Sequence, residues 1–304
     1  MNLPKKIERG IRPLVATGLC GVVLLGCVPW AAARRQSSAE KPAKLKGLNW
    51  TPPNVDAPLR SIASIPPCDV ATVLREAGAH ALELTTNLEN FSAEEQIQYK
   101  RLNQTASPEE IDEGVFDYVF AFEQNGTGRS SREYRTPTKG GHAFPASGQD
   151  TGQVALALIF HPHMQSDYDM SCEGLDQWKG QSAWVIRFQQ RKDKPRRTLQ
   201  FRTEVGSYAA MLKGRAWISM ESGQVVHLET NLMQDIPPMD LRRSAISVDY
   251  APVEIQSRKL ELWLPERIEA YWEIGDRRII LYHTFSNFRV FSVDTQQNIE
   301  KPKS

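Results

Sequence analysis

The residues richest in ligand chemistry lie between His161 and Cys172. His161-Pro162-His163 sets two imidazoles one residue apart, and Asp167, Asp169 and Cys172 follow close behind. Imidazole, carboxylate and thiolate are the groups that close a zinc site. The spacing matches no established ligand pattern, and Pro162 more simply marks the end of a helix. His161 and His163 are therefore candidates only, and no metal or other cofactor is expected. No G-x-S-x-G elbow, Walker loop, H-E-x-x-H helix or C-x-x-C pair occurs in the chain, so the usual hydrolase, nucleotide, protease and redox signatures are missing. Glu94-Glu95 and Glu109-Glu110 read as solvated acids on polar segments. His227 and His283 sit in strand-like stretches without an obvious Ser or Cys partner. No catalytic residue is nominated.

The elements that must position these groups are mainly strands. Asp69 is placed to cap a helix whose apolar residues Val70, Val73, Leu74, Ala77, Ala81, Leu84 and Leu88 recur at three- and four-residue spacing. Phe91 to Leu102 leads into the first strand, and Ser107-Pro108-Glu109-Glu110 is expected to be a surface turn. Phe116, Tyr118, Phe120 and Phe122 then alternate with other residues, which puts four rings on one strand face. Thr136 to Asp150 reads as a long loop. Thr151 to Phe160 is apolar nearly all round, including Leu156 and Phe160. It is expected to form a short helix capped by Asp150 or Thr151, ended by Pro162 and suited to plugging or lining an opening.

Beyond Trp178 the chain becomes a meander, with turn signals at about the 8–12-residue spacing of an antiparallel sandwich or barrel. Trp184, Ile186 and Phe188 share one face. Ala216 to Glu229 reads as a hairpin about Glu221-Ser222-Gly223-Gln224, with Ala216, Ile218 and Met220 on the face opposite Trp217. From Arg277 to Phe288 both strand faces are apolar, Ile280 and Tyr282 opposing Ile279 and Leu281, which calls for a second layer or a lined cavity.

The N-terminus carries Lys5, Lys6, Arg9 and Arg12 ahead of an apolar run from Leu14 to Val28. That run is short for a membrane span and reads as an export signal. Leu24-Leu25-Gly26-Cys27 resembles a lipobox, with Cys27 as the acylated residue; Ala31-Ala32-Ala33 offers a rival cleavage site. Either route exports the chain, to the outer membrane as a lipoprotein or otherwise to the periplasm or beyond. Only Cys68 and Cys172 then remain, and they form either a disulfide or two unpaired thiols. The organisation expected is a signal segment over 1–33, a Pro/Ala/Lys-rich tether over 34–67, a single domain over 68–296 and a polar tail over 297–304. Past the signal the charge is close to balanced, so no nucleic-acid partner is expected.

Trp217-Ile218, Ser222-Gly223-Gln224-Val225-Val226, Ile246-Ser247-Val248-Asp249-Tyr250, Trp263-Leu264-Pro265 and Tyr282-His283-Thr284-Phe285-Ser286-Asn287-Phe288 together resemble the C-terminal half of bacterial envelope proteins with the lipoprotein-carrier fold. These are the LolA/LolB type and its mycobacterial lipoprotein relatives, with the nearest likeness to exported proteins of soil acidobacteria. The resemblance covers roughly Asp69 to Asp294. It implies a mainly β fold with covering helices (α+β), a curved antiparallel open or half barrel. It also implies a role in shuttling or receiving acylated molecules. No particular Arg aligns with the one that gates the carrier's cavity, and the receptor's protruding apolar loop has no counterpart, so substrate identity does not transfer.

The function expected is noncatalytic binding of a lipid or other hydrophobic small molecule, with membrane attachment through the lipid anchor. Phe116, Tyr118, Phe120, Phe122, Leu156, Phe160, Trp184, Trp217, Trp272 and Tyr282 are the candidate cavity lining. The alternative is a structural module with a filled core and an envelope protein partner.

Overall fold

The computed structural model describes residues 50–59, 67–87, 90–103, 105–125, 128–138, 149–195, 198–203, 206–255 and 258–291, with the backbone alone for 122–125, 128–130 and 149–151. The signal segment with Cys27, most of the tether and the polar tail lie outside the described residues.

Helix α1 spans Val70–Asn87. Asp69 caps it, its carboxylate accepting from the Thr72 amide at 3.3 Å and the Thr72 hydroxyl at 2.7 Å. The buried face is made of small residues, Val73, Ala77, Gly78 and Ala81, which lets α1 lie close to what it covers.

Ten strands build one antiparallel sheet. They are β1 (Asn90–Leu102), β2 (Pro108–Asn125), β3 (Gly128–Pro137), β5 (Tyr168–Trp178), β6 (Gln181–Gln190), β9 (Leu212–Ser219), β10 (Val225–Leu232), β11 (Leu241–Ile255), β12 (Leu260–Ile274) and β13 (Arg277–Phe291). Their spatial order is β3-β2-β1-β13-β12-β11-β10-β9-β6-β5. Neighbours in sequence are mostly neighbours in space, as expected of a meander. The exceptions are the pairing of β1 with β13, which brings the first strand against the last, and that of β6 with β9, which bypasses β7 and β8. The edge strands β3 and β5 do not pair with each other, so the sheet stays open, a half-barrel of the expected class. Three short strands, β4 (Gln149–Thr151), β7 (Gln200–Thr203) and β8 (Gly206–Ala209), form a second sheet.

One sheet face, called inner here, packs with α1 and a 3-10 helix over Leu156–Phe160 into the main core. Phe91, Tyr118, Phe160, Phe188 and Phe201 are essentially inaccessible within it. The opposite, outer face carries a smaller apolar cluster of Ala183, Val185, Trp217 and Val226.

Local expectations are corrected in two places. The Thr151–Phe160 helix shrinks to the five-residue 3-10 helix, because residues 149–151 pair with β7 as β4 and so cannot cap it. The 3-10 helix ends just ahead of Pro162, as expected, and Pro162 also opens a one-turn helix, α2 (Pro162–Gln165), where its missing N–H costs nothing. The surface turn placed at 107–110 lies before Pro108, which already belongs to β2.

The boundary of the tether also moves. Residues 50–59, assigned to the tether, pack as a strap on the outer face. Val55 is fully buried; its amide donates to Asn231 Oδ1 at 3.1 Å, and Asn231 Nδ2 donates back to the Pro53 carbonyl at 2.9 Å. Arg187 donates to the Val55 carbonyl and to Asp56 Oδ1 at 2.7 Å, and Arg215 donates to the Ala57 carbonyl at 2.7 Å. Trp50 meets Tyr282 edge-on at 6.4 Å, while Leu59 packs on the Trp217 cluster. Proline content suggested a free linker here, but prolines without N–H donors also suit an extended segment tied down through its carbonyls.

Candidate functional site

Three features organise the half-barrel: a crevice at the edge of α1, and one ionic cluster on each sheet face. The crevice lies where α1 and the 3-10 helix meet the β9–β10 hairpin and β12. It is lined by Ala77, His80, Ala81, Glu83, Leu84, Ala157, Gln224, Val225, Tyr250, Glu261, Leu262 and Trp263, and holds about 30 Å3.

The hairpin turn explains why α1 sits so close. Gly223 has φ +68°, a left-handed conformation that favours glycine, and a Cβ there would come within 3.1 Å of Glu76 in α1. The turn is closed by Ser219 N donating to the Gln224 carbonyl and Gly223 N to the Ser219 carbonyl, each at 2.9 Å. His80 then joins helix to turn. Its Nε2 lies 2.8 Å from the Ser222 carbonyl, and its Nδ1 lies 2.9 Å from Gln224 Nε2.

The inner-face cluster comes from strands distant in sequence. Arg135 donates through Nε to Glu95 Oε2 at 2.7 Å and through Nη2 to Glu133 Oε2 at 3.3 Å. His283 Nδ1 lies 2.8 Å from Glu95 Oε1, and the Gly152 amide donates to Glu133 Oε1 at 2.7 Å. Burial alone would raise the Glu95 pKa, but Arg135 and His283 outweigh it and lower it. Glu133 goes the other way, since burial outweighs the attraction of Arg135. Glu95, expected as a solvated acid, is completely buried because β1 alternates and places it on the same face as Phe91, Ala93, Ile97 and Tyr99.

The outer-face cluster centres on Asp249. Its carboxylate meets His227 Nδ1 and Arg267 Nη2, each at 2.7 Å, and Lys179 Nζ at 3.2 Å. His227 Nε2 lies 3.5 Å from Glu229, and Trp178 stacks on the imidazole at 3.6 Å. Burial works against a charged His227, yet hydrogen bonds with Asp249 and Glu229 prevail and raise its pKa. Burial likewise opposes the Asp249 carboxylate, and His227, Lys179 and Arg267 prevail, holding its pKa far below the usual range. A β-bulge between Val225 and His227 turns Val226 and His227 to the same side, so simple alternation along β10 gives no hint of this meeting.

The candidate lining residues divide between the faces. Phe116, Tyr118, Phe120, Leu156, Phe160 and Trp272 are buried in the inner core, with Trp184 half-buried against it. The Phe122 side chain lies outside the described residues. Trp217 and Tyr282 are corrections, because period-two alternation carries them to the outer face. Trp217 donates through Nε1 to Asp176 Oδ2 at 3.0 Å and packs beside Trp178 and His227. Tyr282 lies under Trp50 and the Lys100 ammonium. Met220, expected to share the Ile218 face, is exposed in the turn.

Cys68 and Cys172 are joined by a disulfide, which ties the start of α1 to edge strand β5 and removes Cys172 from any ligand set. His161 and His163 stand side by side with ring centroids 5.3 Å apart, and His161 Nδ1 accepts from the His163 amide at 3.3 Å. Among the described residues no three His, Cys, Asp or Glu side chains gather for a metal ion. Nor is any described helix long and apolar enough to cross a membrane.

The fold and its two-faced sheet define an open antiparallel half-barrel with a thin helical cover. Solved structures with a similar course include a DUF1329 family protein from Desulfovibrio piger, 11% identical over 73% of this chain and 92% of that one, with a TM-score of 0.42. A LolA superfamily protein from Nitrosomonas europaea is 12% identical over 75% and 96%, with a TM-score of 0.36. The lipoprotein LppX of Mycobacterium tuberculosis is 12% identical over 75% and 100%, with a TM-score of 0.23. No family model matches the chain. No curated protein matches it.

Proposed function

We propose that this chain is an exported, noncatalytic binding protein of the cell envelope. In this reading it is anchored at the outer membrane through Cys27 and takes a lipid or other apolar molecule between its helical cover and the inner sheet face. The carrying observation is the crevice at the seam of α1, the hairpin and β12. Its wall of Ala77, Ala81, Leu84, Val225 and Leu262 leads from the surface toward the apolar inner face. At about 30 Å3 it is far below the roughly 300 Å3 or more of a small-molecule site. Uptake therefore requires α1 to move, hinged where the disulfide holds its first turn. Mutual pairing favours the noncatalytic reading, since His227 meets an acid at each ring nitrogen and Arg135 is shared by two carboxylates.

A second reading, a structural or interaction module with a filled core, is supported by the complete burial of Leu156, Phe160, Phe188 and Phe201. Native mass spectrometry after mild extraction, together with titration of a fluorescent fatty-acyl probe, separates the two. Saturable binding near one molecule per chain supports the carrier reading. Neither a co-purifying amphiphile nor saturable uptake would leave the filled module.

A further inference from the structure

We propose that the fork between β8 and residues 234–238 is a strand-insertion site for an extended peptide segment of a partner protein. It shares no lining residue with the α1 crevice, and the inference stands apart from the lipid-binding reading.

Strand β9 has β6 on one side and β10 on the other. Just before β9, Ala210 donates to the Leu199 carbonyl at 2.9 Å, so the β6 side passes on to β7. On the β10 side the last rung is Met233 donating to the Met211 carbonyl at 2.8 Å. Past that rung the two chains part, residues 206–209 following β7 while 234–238 turn toward β11. An open groove of about 610 Å3 lies between them, within the roughly 300–1,000 Å3 of ligand sites.

Three consecutive residues of β8, Ser207, Tyr208 and Ala209, line the groove. Side chains alternate between the faces of a strand, so a groove that meets all three runs along the edge of β8 and not over one face. Hydrogen-bonding directions alternate as well. With Ala210 bonded to Leu199, residues 208 and 206 bond toward their β7 partners Phe201 and Thr203, and the N–H and C=O groups of Ser207 and Ala209 point into the groove. Among the described residues β8 ends its sheet, and no strand pairs with it on that side.

Two donors and two acceptors at strand spacing are what the backbone of an extended segment answers, in the place beside β8 that β10 holds beside β9. The other described sheet edges carry charges that discourage such pairing. Arg132 and Arg135 lie on β3, Asp169 and Glu173 on β5, and Asp150 on β4, whereas Gly206-Ser207-Tyr208-Ala209 has neither a charge nor a proline. The facing wall adds selectivity. Ile236, Pro237 and Pro238 make it apolar, and the two prolines have no N–H to compete for the edge. Lys194 and Asp235 contribute one charge of each sign. The segment that fits is about four residues long, β-branched in the middle, with an acid and a base at its ends.

The probe is a synthetic hexapeptide, acetyl-EVTVTK-amide, titrated into the full chain while amide exchange is followed by nuclear magnetic resonance. Saturable binding is expected, with exchange at Ser207 and Ala209 slowed about tenfold and Tyr208, already in the β7 ladder, unchanged. The same peptide N-methylated at alternate residues keeps its side chains but loses its donors, and should bind about tenfold more weakly. Ala209→Pro removes only an N–H that faces the groove, so it should weaken binding about five- to tenfold with the far-ultraviolet circular dichroism unchanged. Absence of saturable binding, equal binding of the methylated peptide, or protection appearing at β3 or β5 instead would each overturn the proposal. So would Ser207 and Ala209 amides already protected without peptide, which would give the edge to a second copy or to the chain itself.

Discussion

Arg135 Nε and Glu95 Oε2 lie 2.7 Å apart on the inner sheet face, although β1 and β3 are separated by the whole of β2. The register makes the meeting possible. Glu95 stands opposite Phe116 and Arg135 opposite Tyr118, so both side chains project toward the core across one intervening strand. Replacing Arg135 with Met strands Glu95 and Glu133 without their cation. The expected loss is about 3–5 kcal/mol in urea unfolding, and restoring an apolar pair with Glu95→Leu in the same chain should recover part of it. An unchanged midpoint for Arg135→Met would remove the cluster from the stability argument.

The His227–Asp249 pair sets a pH window. The Asp249 pKa is lowered from 3.8, so its contribution is full above that value and lost as the pH falls through the lowered one. The His227 pKa is raised from 6.5, so its contribution is full below that value and lost as the pH rises through the raised one. The pair should therefore stabilise most between about pH 4 and 6.5. His227→Gln should flatten the alkaline limb of the stability profile, which chemical denaturation at pH 5, 7 and 9 measures directly.

Val55→Asp tests whether the strap belongs to the domain. A carboxylate at this fully buried site loses its hydration, while the neighbouring Arg187, Lys213 and Arg215 are already engaged by Asp56, Glu173 and the strap carbonyls, and the expected cost is about 3 kcal/mol. Limited proteolysis should then cut near residues 50–59 well before the sheet is attacked. Equal resistance in both proteins would return the segment to the tether.

The hairpin offers a contrast between faces. Ile218→Asp puts a charge in the inner core and should prevent folding. Trp217→Ala removes an indole from the smaller outer cluster and its bond to Asp176, costing about 3–5 kcal/mol while leaving the strand order intact. Circular dichroism and thermal melting distinguish loss of fold from loss of stability.

The disulfide should matter most at α1. Cys68→Ser with Cys172→Ser opens a loop of 104 residues and should cost about 2–5 kcal/mol. Hydrogen exchange should rise first in the opening turns of α1, because the covalent tie holds that end to β5. Uniform exchange across the domain would show that the bridge acts on global stability alone.

Much of the architecture was legible because it is local. The three- and four-residue spacing from Val70 to Leu84 and the Asp69 cap specify α1, and alternation with Gly turns specifies the hairpins of the meander. Two kinds of information were not local. Glu95 looked solvated beside Glu94, since a buried carboxylate is recognisable only once Arg135 and His283 arrive from other strands. His227 showed no Ser or Cys partner, and its meeting with Asp249 was hidden because a bulge, which has no sequence signature here, decides which way it points. The apolar run before Phe160 was misread for a related reason: pairing of residues 149–151 with β7 consumed the residues that would have capped a longer helix.

By itself the sequence determined the α1 stripe and the strand periodicity, both of which depend on spacing along the chain. Tertiary structure decided that Trp217 and Tyr282 lie behind the sheet, that residues 50–59 bind its outer face, and that Cys68 reaches Cys172. It also decided that His80 meets Ser222 across a gap of 142 residues. These are matters of register, bulge and docking, and they depend on which distant segments are brought together.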